Sequence, residues 1–233
     1  MKLLASIFLA ISLFFPQYGI SGDSRFEPTT TWPYLFEDFS PGTVLTNKGN
    51  TLDYDKLNVN VINGKMHFVK DDKIMEIDMM TVYVVRVKED VFLNVQGKLM
   101  KVMKETENGA VVSLTEVDKE KMSRTSIGYG TSAIASTQNI STAALESNSG
   151  SIINKSLGSA TVDRFAGDPL ILMKTTYLVV DGLLLPARKK DVISDARFNS
   201  KQVEDYIKQH KTKWNNTDNL SELVEFLHTV KTN

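Results

Sequence analysis

Three histidines, His67, His210 and His228, are the residues of this chain best suited to proton transfer or metal binding. None has another histidine two, three or four residues away, so the paired spacing that binds zinc on a helix is missing from the sequence. A serine hydrolase often displays its nucleophile in a G-x-S-x-G turn, and the sequence contains no such turn. We therefore assign no catalytic residue and no metal ligand.

Carboxylates offer a second route to catalysis, because a glycosidase needs two of them at a fixed separation across a cleft. The first candidates are Asp53, Asp55, Asp71 and Asp72, and no better placed are Asp38, Glu76 and Asp78. The first four lie at or beside predicted turns, where aspartate is favoured because its side chain bonds the nearby backbone. The preferred interpretation is a role in turns, and a glycan-directed secreted hydrolase is the alternative.

The stretch "GYGTSA" at 128–133 resembles a shortened dinucleotide-binding fingerprint. That motif needs a strand before it and a helix after it, so that the helix N-terminus can bind phosphate. Here "KMSRTS" precedes the glycines and a serine- and threonine-rich run follows them. We expect a loop at this position and no cofactor.

The N-terminus has the pattern of a secretory signal peptide. Lys2 is followed by the apolar run 3–15, which is too short to span a bilayer comfortably. Gly19 and Ser21 suit the −3 and −1 positions of a cleavage site. We predict an exported protein without a transmembrane span in the mature chain.

The composition removes several classes of function. The chain has no cysteine, which excludes disulfides, thiol catalysis and cysteine-based metal sites. Its formal net charge is −1, and cleavage after residue 21 would remove Lys2 and make it −2. So balanced a charge argues against nucleic-acid binding. The mature chain of about 210 residues is long enough for one substantial core or two small ones.

The order of apolar residues and turn residues along the chain predicts the strands and helices that position these candidate residues. β-branched and aromatic residues between frequent turn signals are typical of short antiparallel strands. We predict a mainly β fold of the α+β class, an antiparallel meander forming a small barrel or sandwich with a C-terminal helical hairpin packed on it. The segments are a signal peptide (1–21), an extended lead-in (22–38), an antiparallel β domain (39–122), a mobile loop rich in Ser, Thr and Gly (123–163), a β-hairpin joining the sheet (164–188) and C-terminal helices (189–233).

Turn signals fix the expected registers. Asn63-Gly64 predicts a two-residue type I′ turn, which would place His67 opposite Asn60 on the wetter face of the sheet. Asp181-Gly182 predicts a second such turn, pairing Val180 with Leu183. Further turns are expected at Lys48-Gly49, Asp71-Asp72, Glu89-Asp90, Gln96-Gly97 and Asn108-Gly109.

Apolar residues at helical spacing predict helices near the C-terminus. A short helix is expected at 191–198. The next helix has Asn199 or Ser200 as its N-cap, and the last has Asp218 or Asn219. His210 and His228 fall near the C-terminal ends of these two helices, where a cation is mildly favoured.

Three stretches carry a resemblance: "FSPGTVLTNKGNTLDYDKLNVNVINGKMHF", "GYGTSAIAS" and the run from Ala187 to Leu227 that begins "ARKKDVISDARF". Together they resemble uncharacterised exported proteins of Bacteroidota, in which a strand and hairpin precede a serine-rich loop and a final helical hairpin. The resemblance implies a location in a Gram-negative periplasm or cell envelope. It implies no activity.

These observations predict a non-catalytic module that binds an envelope protein or a glycan, or that has a structural role. Trp32, Tyr34 and Tyr129 are the candidates for a contact surface, since aromatic rings stack on sugars and partner side chains. Rings in the lead-in more often fill a core, so both uses stay open. The serine-rich loop and the exposed strand edges are the other expected contact regions.

Overall fold

The computed structural model describes residues 29–125, 153–164 and 169–232, and these form a mainly antiparallel β protein with a few helices. The strands are β1 (Thr29–Thr30), β2 (Ser40–Thr46), β3 (Thr51–Val59), β4 (Met66–Lys70), β5 (Lys73–Glu76), β6 (Val82–Val87), β7 (Asp90–Val95), β8 (Lys98–Thr106), β9 (Gly109–Val117), β10 (Leu170–Val180) and β11 (Leu183–Pro186). The helices are α1 (Lys119–Thr125), α2 (Leu157–Asp163), α3 (Lys189–Ser194), α4 (Ser200–His210) and α5 (Thr217–Thr229).

The described residues form two compact units. We call residues 29–100, 115–125, 153–164 and 169–174 the N-terminal unit, and residues 101–114 and 175–232 the C-terminal unit. Each unit has its own buried apolar residues, as expected when a chain of this length makes two small cores.

The N-terminal unit is built on antiparallel strands in the order β7-β6-β2-β3-β4-β5. Its largest apolar cluster comes from β2, β3, β4, β6 and β7 and includes Val44, Leu57, Met66, Val85 and Phe92. The predicted turn at Asp71-Asp72 is confirmed: both residues have positive φ (50° and 60°), and Lys70 pairs with Lys73. Positive φ at both central residues matches the right-handed twist of the two strands.

The C-terminal unit joins strands to three helices. Its core combines Val111 of β9, Leu178 and Val180 of β10 and Leu185 of β11 with helical residues. The helical members are Val192, Val203, Ile207, Leu220, Leu223, Val224 and Leu227. The predicted Asp181-Gly182 turn is confirmed, because Val180 pairs with Leu183 and Val179 with Leu184.

The hairpin at Asn63-Gly64 differs from the prediction. Asn58, and not Asn60, lies opposite His67, and Val59 pairs with Met66, so the register is two residues away from the expected one. Gly64 has a φ of 73°, whereas Asn63 is not among the residues with positive φ, so a two-residue type I′ turn does not form. A shift of two residues keeps every side chain on its expected face.

The expected wetter face of this hairpin is in fact buried. Asn58, Asn60 and His67 each have 0 % of their surface exposed. The lead-in causes the burial: the Leu35 N–H donates to the Val59 carbonyl, and the Val61 N–H donates to the Pro33 carbonyl. The prediction that His67 lies on a solvated face was therefore wrong.

Helix boundaries agree with the sequence in one case and differ in others. Asn199 caps α4 by accepting the Gln202 N–H, as predicted. The last helix begins earlier than expected, because Asn216 is its N-cap and accepts the Asn219 N–H. The short helix covers Lys189–Ser194 in place of 191–198.

The predicted loop 123–163 overlaps α1 at its start and α2 at its end, and residues 126–152 lie outside the described part.

No helix in the described ranges combines the length and hydrophobicity needed to cross a bilayer. The sequence contains no cysteine, so no disulfide can join the strands. The described fold is therefore held by burial and hydrogen bonding.

Candidate functional site

A chain of polar contacts links four side chains of the N-terminal unit. The Tyr34 hydroxyl lies 2.9 Å from His67 Nδ1, and His67 Nε2 lies 3.5 Å from Glu76 Oε2. Lys65 Nζ donates to Glu76 Oε1 at 2.6 Å, and Asn63 Nδ2 donates to Glu76 Oε2 at 3.2 Å. We call Tyr34, His67, Glu76 and Lys65 the tyrosine–histidine chain. It places a histidine beside a carboxylate, a pair that also occurs in enzymes.

The lead-in and two strands position this chain. Tyr34 forms an isolated bridge with Asn60, so its side chain enters the face that carries His67. Asn58 holds the next turn of the lead-in, because its Oδ1 accepts the Phe36 N–H and its Nδ2 donates to the Phe36 carbonyl. His67 and Glu76 are opposite residues of β4 and β5. The side chain of Asn58 thus makes the hydrogen bonds to Phe36 that a neighbouring strand would otherwise make.

Burial sets the protonation of the two inner groups. Desolvation lowers the pKa of His67 to about 4, and the nearby Glu76 carboxylate opposes only part of that shift. Desolvation raises the pKa of Tyr34 well above its ordinary value. At neutral pH the imidazole is therefore uncharged and the phenol keeps its proton. Because His67 Nε2 faces the Glu76 carboxylate, the tautomer with the ring proton on Nε2 is favoured, and in that tautomer Nδ1 accepts a hydrogen bond from the Tyr34 hydroxyl.

The chemistry open to this arrangement is narrow. His67 is fully buried and Tyr34 is 4 % exposed, so neither polar group meets a dissolved substrate in this conformation. His67 Nδ1 already accepts a hydrogen bond from the Tyr34 hydroxyl, and the 3.5 Å separation between Nε2 and Glu76 is longer than an ordinary hydrogen bond. The tyrosine–histidine chain is suited to holding the lead-in against β4, and Glu76 and Lys65 lie at its partly exposed end.

Replacing Tyr34 with phenylalanine is expected to lower the free energy of unfolding by about 1–3 kcal/mol, because His67 Nδ1 would stay buried without a donor. Urea unfolding of the two proteins measures the difference. Tyr54→Phe is the matched control, since the Tyr54 ring is only half-buried and packs against Phe68. Equal losses in the two variants would contradict a special role for the Tyr34 hydroxyl.

Of the three residues proposed as a contact surface, two are buried and one lies outside the described residues. Trp32 and Tyr34 are 6 % and 4 % exposed and belong to a cluster with Ile74 and Ala160. The Trp32 indole N–H donates to the Phe36 carbonyl, which leaves it no donor for a partner. Both rings therefore fill the core of the unit. Tyr129 and the "GYGTSA" motif lie outside the described residues.

The candidate carboxylates lie in turns, in a loop and on an exposed strand. Asp71 and Asp72 form the β4–β5 turn, and Asp78 Oδ1 accepts the Met80 N–H in the loop before β6. Asp53 and Asp55 lie exposed on β3. In the ranges that the structure describes, no group of three histidine, aspartate or glutamate side chains is arranged to hold a metal ion.

The other two histidines lie in the C-terminal unit. His210 stacks on Tyr206 with ring centroids 4.1 Å apart. His228 Nδ1 lies 2.9 Å from Asp181 Oδ1, and Lys231 Nζ lies 3.1 Å from Asp181 Oδ2. Asp181 sits at the β10–β11 turn, so these two contacts join the tip of a hairpin to the end of α5.

Asp181→Asn is expected to lower the free energy of unfolding by about 0.5–1 kcal/mol, because it removes the partly exposed ion pair with Lys231 and weakens the contact with His228 Nδ1. Asparagine tolerates the positive φ of 49° at this position, so the turn itself is kept. The loss measured by urea unfolding should shrink in high salt. Asp72→Asn, also at positive φ, is the control; an equal, salt-independent loss there would contradict the ion-pair account.

Sequence reasoning identified His67, Glu76 and Tyr34 separately and did not bring them together. Tyr34 and His67 are 33 positions apart, and their contact depends on the backbone pairing of the lead-in with the end of β3. The available signal for this site was the set of polar residues Asn58, Asn60 and His67 on one face of a hairpin.

Comparison with known proteins gives no matching family model, no matching curated protein and no matching solved structure.

Proposed function

We propose that this chain is an exported, non-catalytic binding or structural module of a Gram-negative periplasm or cell envelope, and that its partner is an envelope protein or a glycan. The observation that supports a non-catalytic role is the fully buried His67, whose Nδ1 is occupied by the Tyr34 hydroxyl. A general base must lie within hydrogen-bond reach of its substrate, and this imidazole does not meet solvent. The signal-peptide pattern of residues 1–21 supports export.

The proposal includes an architecture. The antiparallel strands close as a small barrel or sandwich, and α4 and α5 pack on them as a helical hairpin. Support comes from the stacked rings of Tyr206 and Phe226, 4.0 Å apart, which join the two helices. The shared core of β9, β10, β11 and the helices supports a lid on the strands.

Export is tested by expressing the full chain in a Gram-negative host and measuring the mass of the protein in the periplasmic fraction. We expect a product that lacks residues 1–21. In a variant with Leu9→Arg and Ile11→Arg, the apolar run is interrupted, and the chain should stay uncleaved in the cytoplasm. An uncleaved cytoplasmic wild-type chain would contradict export.

The binding role is tested with the mature chain against two probes, purified peptidoglycan in a pelleting assay and envelope proteins of the source bacterium in a cross-linking assay. We expect saturable binding to one of them. Binding to neither would contradict the proposal.

The hydrolase alternative is tested by the release of reducing ends from peptidoglycan and a panel of polysaccharides. We expect no release above buffer. Release that disappears in the Asp53→Asn/Asp55→Asn variant would overturn the non-catalytic assignment and favour a glycosidase that uses these carboxylates.

A further inference from the structure

Part of β3 has a strand on only one side among the described residues. β3 pairs with β2 from Thr51 to Leu57, but with β4 only through Leu57, Asn58 and Val59. The edge from Thr51 to Lys56 therefore carries backbone N–H and C=O groups without a second strand in that part of the chain. We call this segment the β3 edge.

The outer strand of the same sheet is treated differently. The Ile74 N–H of β5 donates to the Lys155 carbonyl at 2.9 Å, and the Asn154 N–H donates to the Ile74 carbonyl at 2.7 Å. Lys73 also forms an isolated bridge with Ser156. The chain thus covers the β5 edge with its own backbone. Within this part of the described structure, the contrast leaves the β3 edge open to an added strand.

The side chains of the β3 edge suit an extended ligand. Tyr54 is half-buried and meets the Phe68 ring edge-on, 5.1 Å between centroids, close to where β3 and β4 stop pairing. Leu52, on the same side of the strand as Tyr54, is 45 % exposed. Asp53 and Asp55 alternate with these residues, are exposed, and form no ion pair with the described residues. An added strand would meet Leu52 and Tyr54, followed by Lys56, on one face and the carboxylates of Asp53 and Asp55 on the other.

We propose that the β3 edge binds an extended segment of a partner protein by strand addition, with lysine or arginine side chains of that segment opposite Asp53 and Asp55. Main-chain hydrogen bonds would supply affinity, and alternate side chains would supply specificity. A second copy of this chain is disfavoured, because pairing two β3 edges would bring their aspartates together. This inference rests on the proposed binding role and assigns that role a surface.

The test uses the mature chain and a short capped peptide in which lysine alternates with valine, with a glutamate–valine peptide as control. Hydrogen exchange measures protection of those amides between Thr51 and Lys56 that point away from β2, and fluorescence polarisation measures affinity. We expect the lysine peptide to bind and to protect these amides. The glutamate peptide should do neither, because its charges repel Asp53 and Asp55.

Two charge-matched variants locate the effect. Asp53→Asn/Asp55→Asn should weaken binding of the lysine peptide about fivefold, since two exposed charge pairs are lost. Glu89→Gln/Glu107→Gln removes the same charge from exposed positions on other hairpin turns and should leave affinity unchanged. Equal weakening in both variants would show only general attraction, and would overturn the proposed surface.

Three other results would also overturn the inference. They are failure of the lysine peptide to bind, protection in the free chain of the β3 edge amides that point away from β2, and protection of those amides that appears only at high protein concentration and marks self-association. If Asp53→Asn/Asp55→Asn kept full binding to the envelope probe used above, the binding role would stand and this surface would fail. Loss of binding by the wild-type chain itself would reject the binding role.

Discussion

Gly109→Ala is expected to destabilise the C-terminal unit by about 3 kcal/mol, at the upper end of the usual cost of overpacking a core. A Cβ built on Gly109 would lie 1.9 Å from the Val179 carbonyl oxygen and 2.9 Å from Val224 Cγ1. The first of these atoms belongs to the backbone of β10, so relief requires a strand to move. Because β9 is buried from Gly109 to Leu114, that movement would disturb the core.

Urea unfolding followed by the fluorescence of Trp214, which packs against this core, measures the change. Gly158→Ala is the control, because a Cβ at Gly158 in α2 meets nothing within 4 Å. Alanine there should raise helix stability by about 0.5–1 kcal/mol. If Gly109→Ala unfolded at the wild-type urea concentration, the close approach of β9 and β10 would be disproved.

Acidification from pH 6.5 to pH 4 is expected to remove about 3 kcal/mol of stability through His67 alone, from a pKa near 4 in the folded state and near 6.5 in the unfolded state. The sign follows from proton binding. Between these two values the unfolded chain binds a proton that the folded chain refuses, so the contribution is complete above pH 6.5 and falls as the pH falls. Below about pH 4 it no longer changes.

Free energies of unfolding measured between pH 7.5 and pH 4 provide the test. His67→Gln removes the titrating group, so its stability should depend less steeply on pH in this window than that of the wild type. Carboxylates with lowered pKa values, such as Asp118 and Asp195, titrate in both proteins and cancel in the comparison. Parallel curves would contradict the buried, neutral imidazole.

The strand pattern was predictable from local sequence, because alternation and turn residues act over a few positions. Asp71-Asp72 and Asp181-Gly182 gave the correct turns and registers. The two Asn-Gly pairs, which are the strongest local signal, gave shifted turns. At Asn108-Gly109 the loop is Glu107-Asn108, with Thr106 paired to Gly109. That glycine serves the close approach to Val179, a contact 70 positions away that no local rule contains.

The candidate site was less predictable for the same reason. Alternation correctly placed His67 on the face opposite Met66 and Phe68, but the exposure of that face depends on what covers it. The covering segment is the lead-in, whose prolines and threonines indicate extended backbone without specifying where it lies. The side chain of Asn58 fixes the position of the lead-in, because its amide accepts the Phe36 N–H and donates to the Phe36 carbonyl.

The backbone pairing of the lead-in with the end of β3 has a consequence for synthesis. The ribosome releases the chain from its N-terminus, so Tyr34 emerges before His67, to which its hydroxyl is hydrogen-bonded. Until β4, β5 and α2 have followed, Trp32 and Tyr34 lack the residues they pack against and stay available to chaperones. A nascent chain halted before residue 67 would therefore present Trp32, Tyr34 and Phe36 to water together.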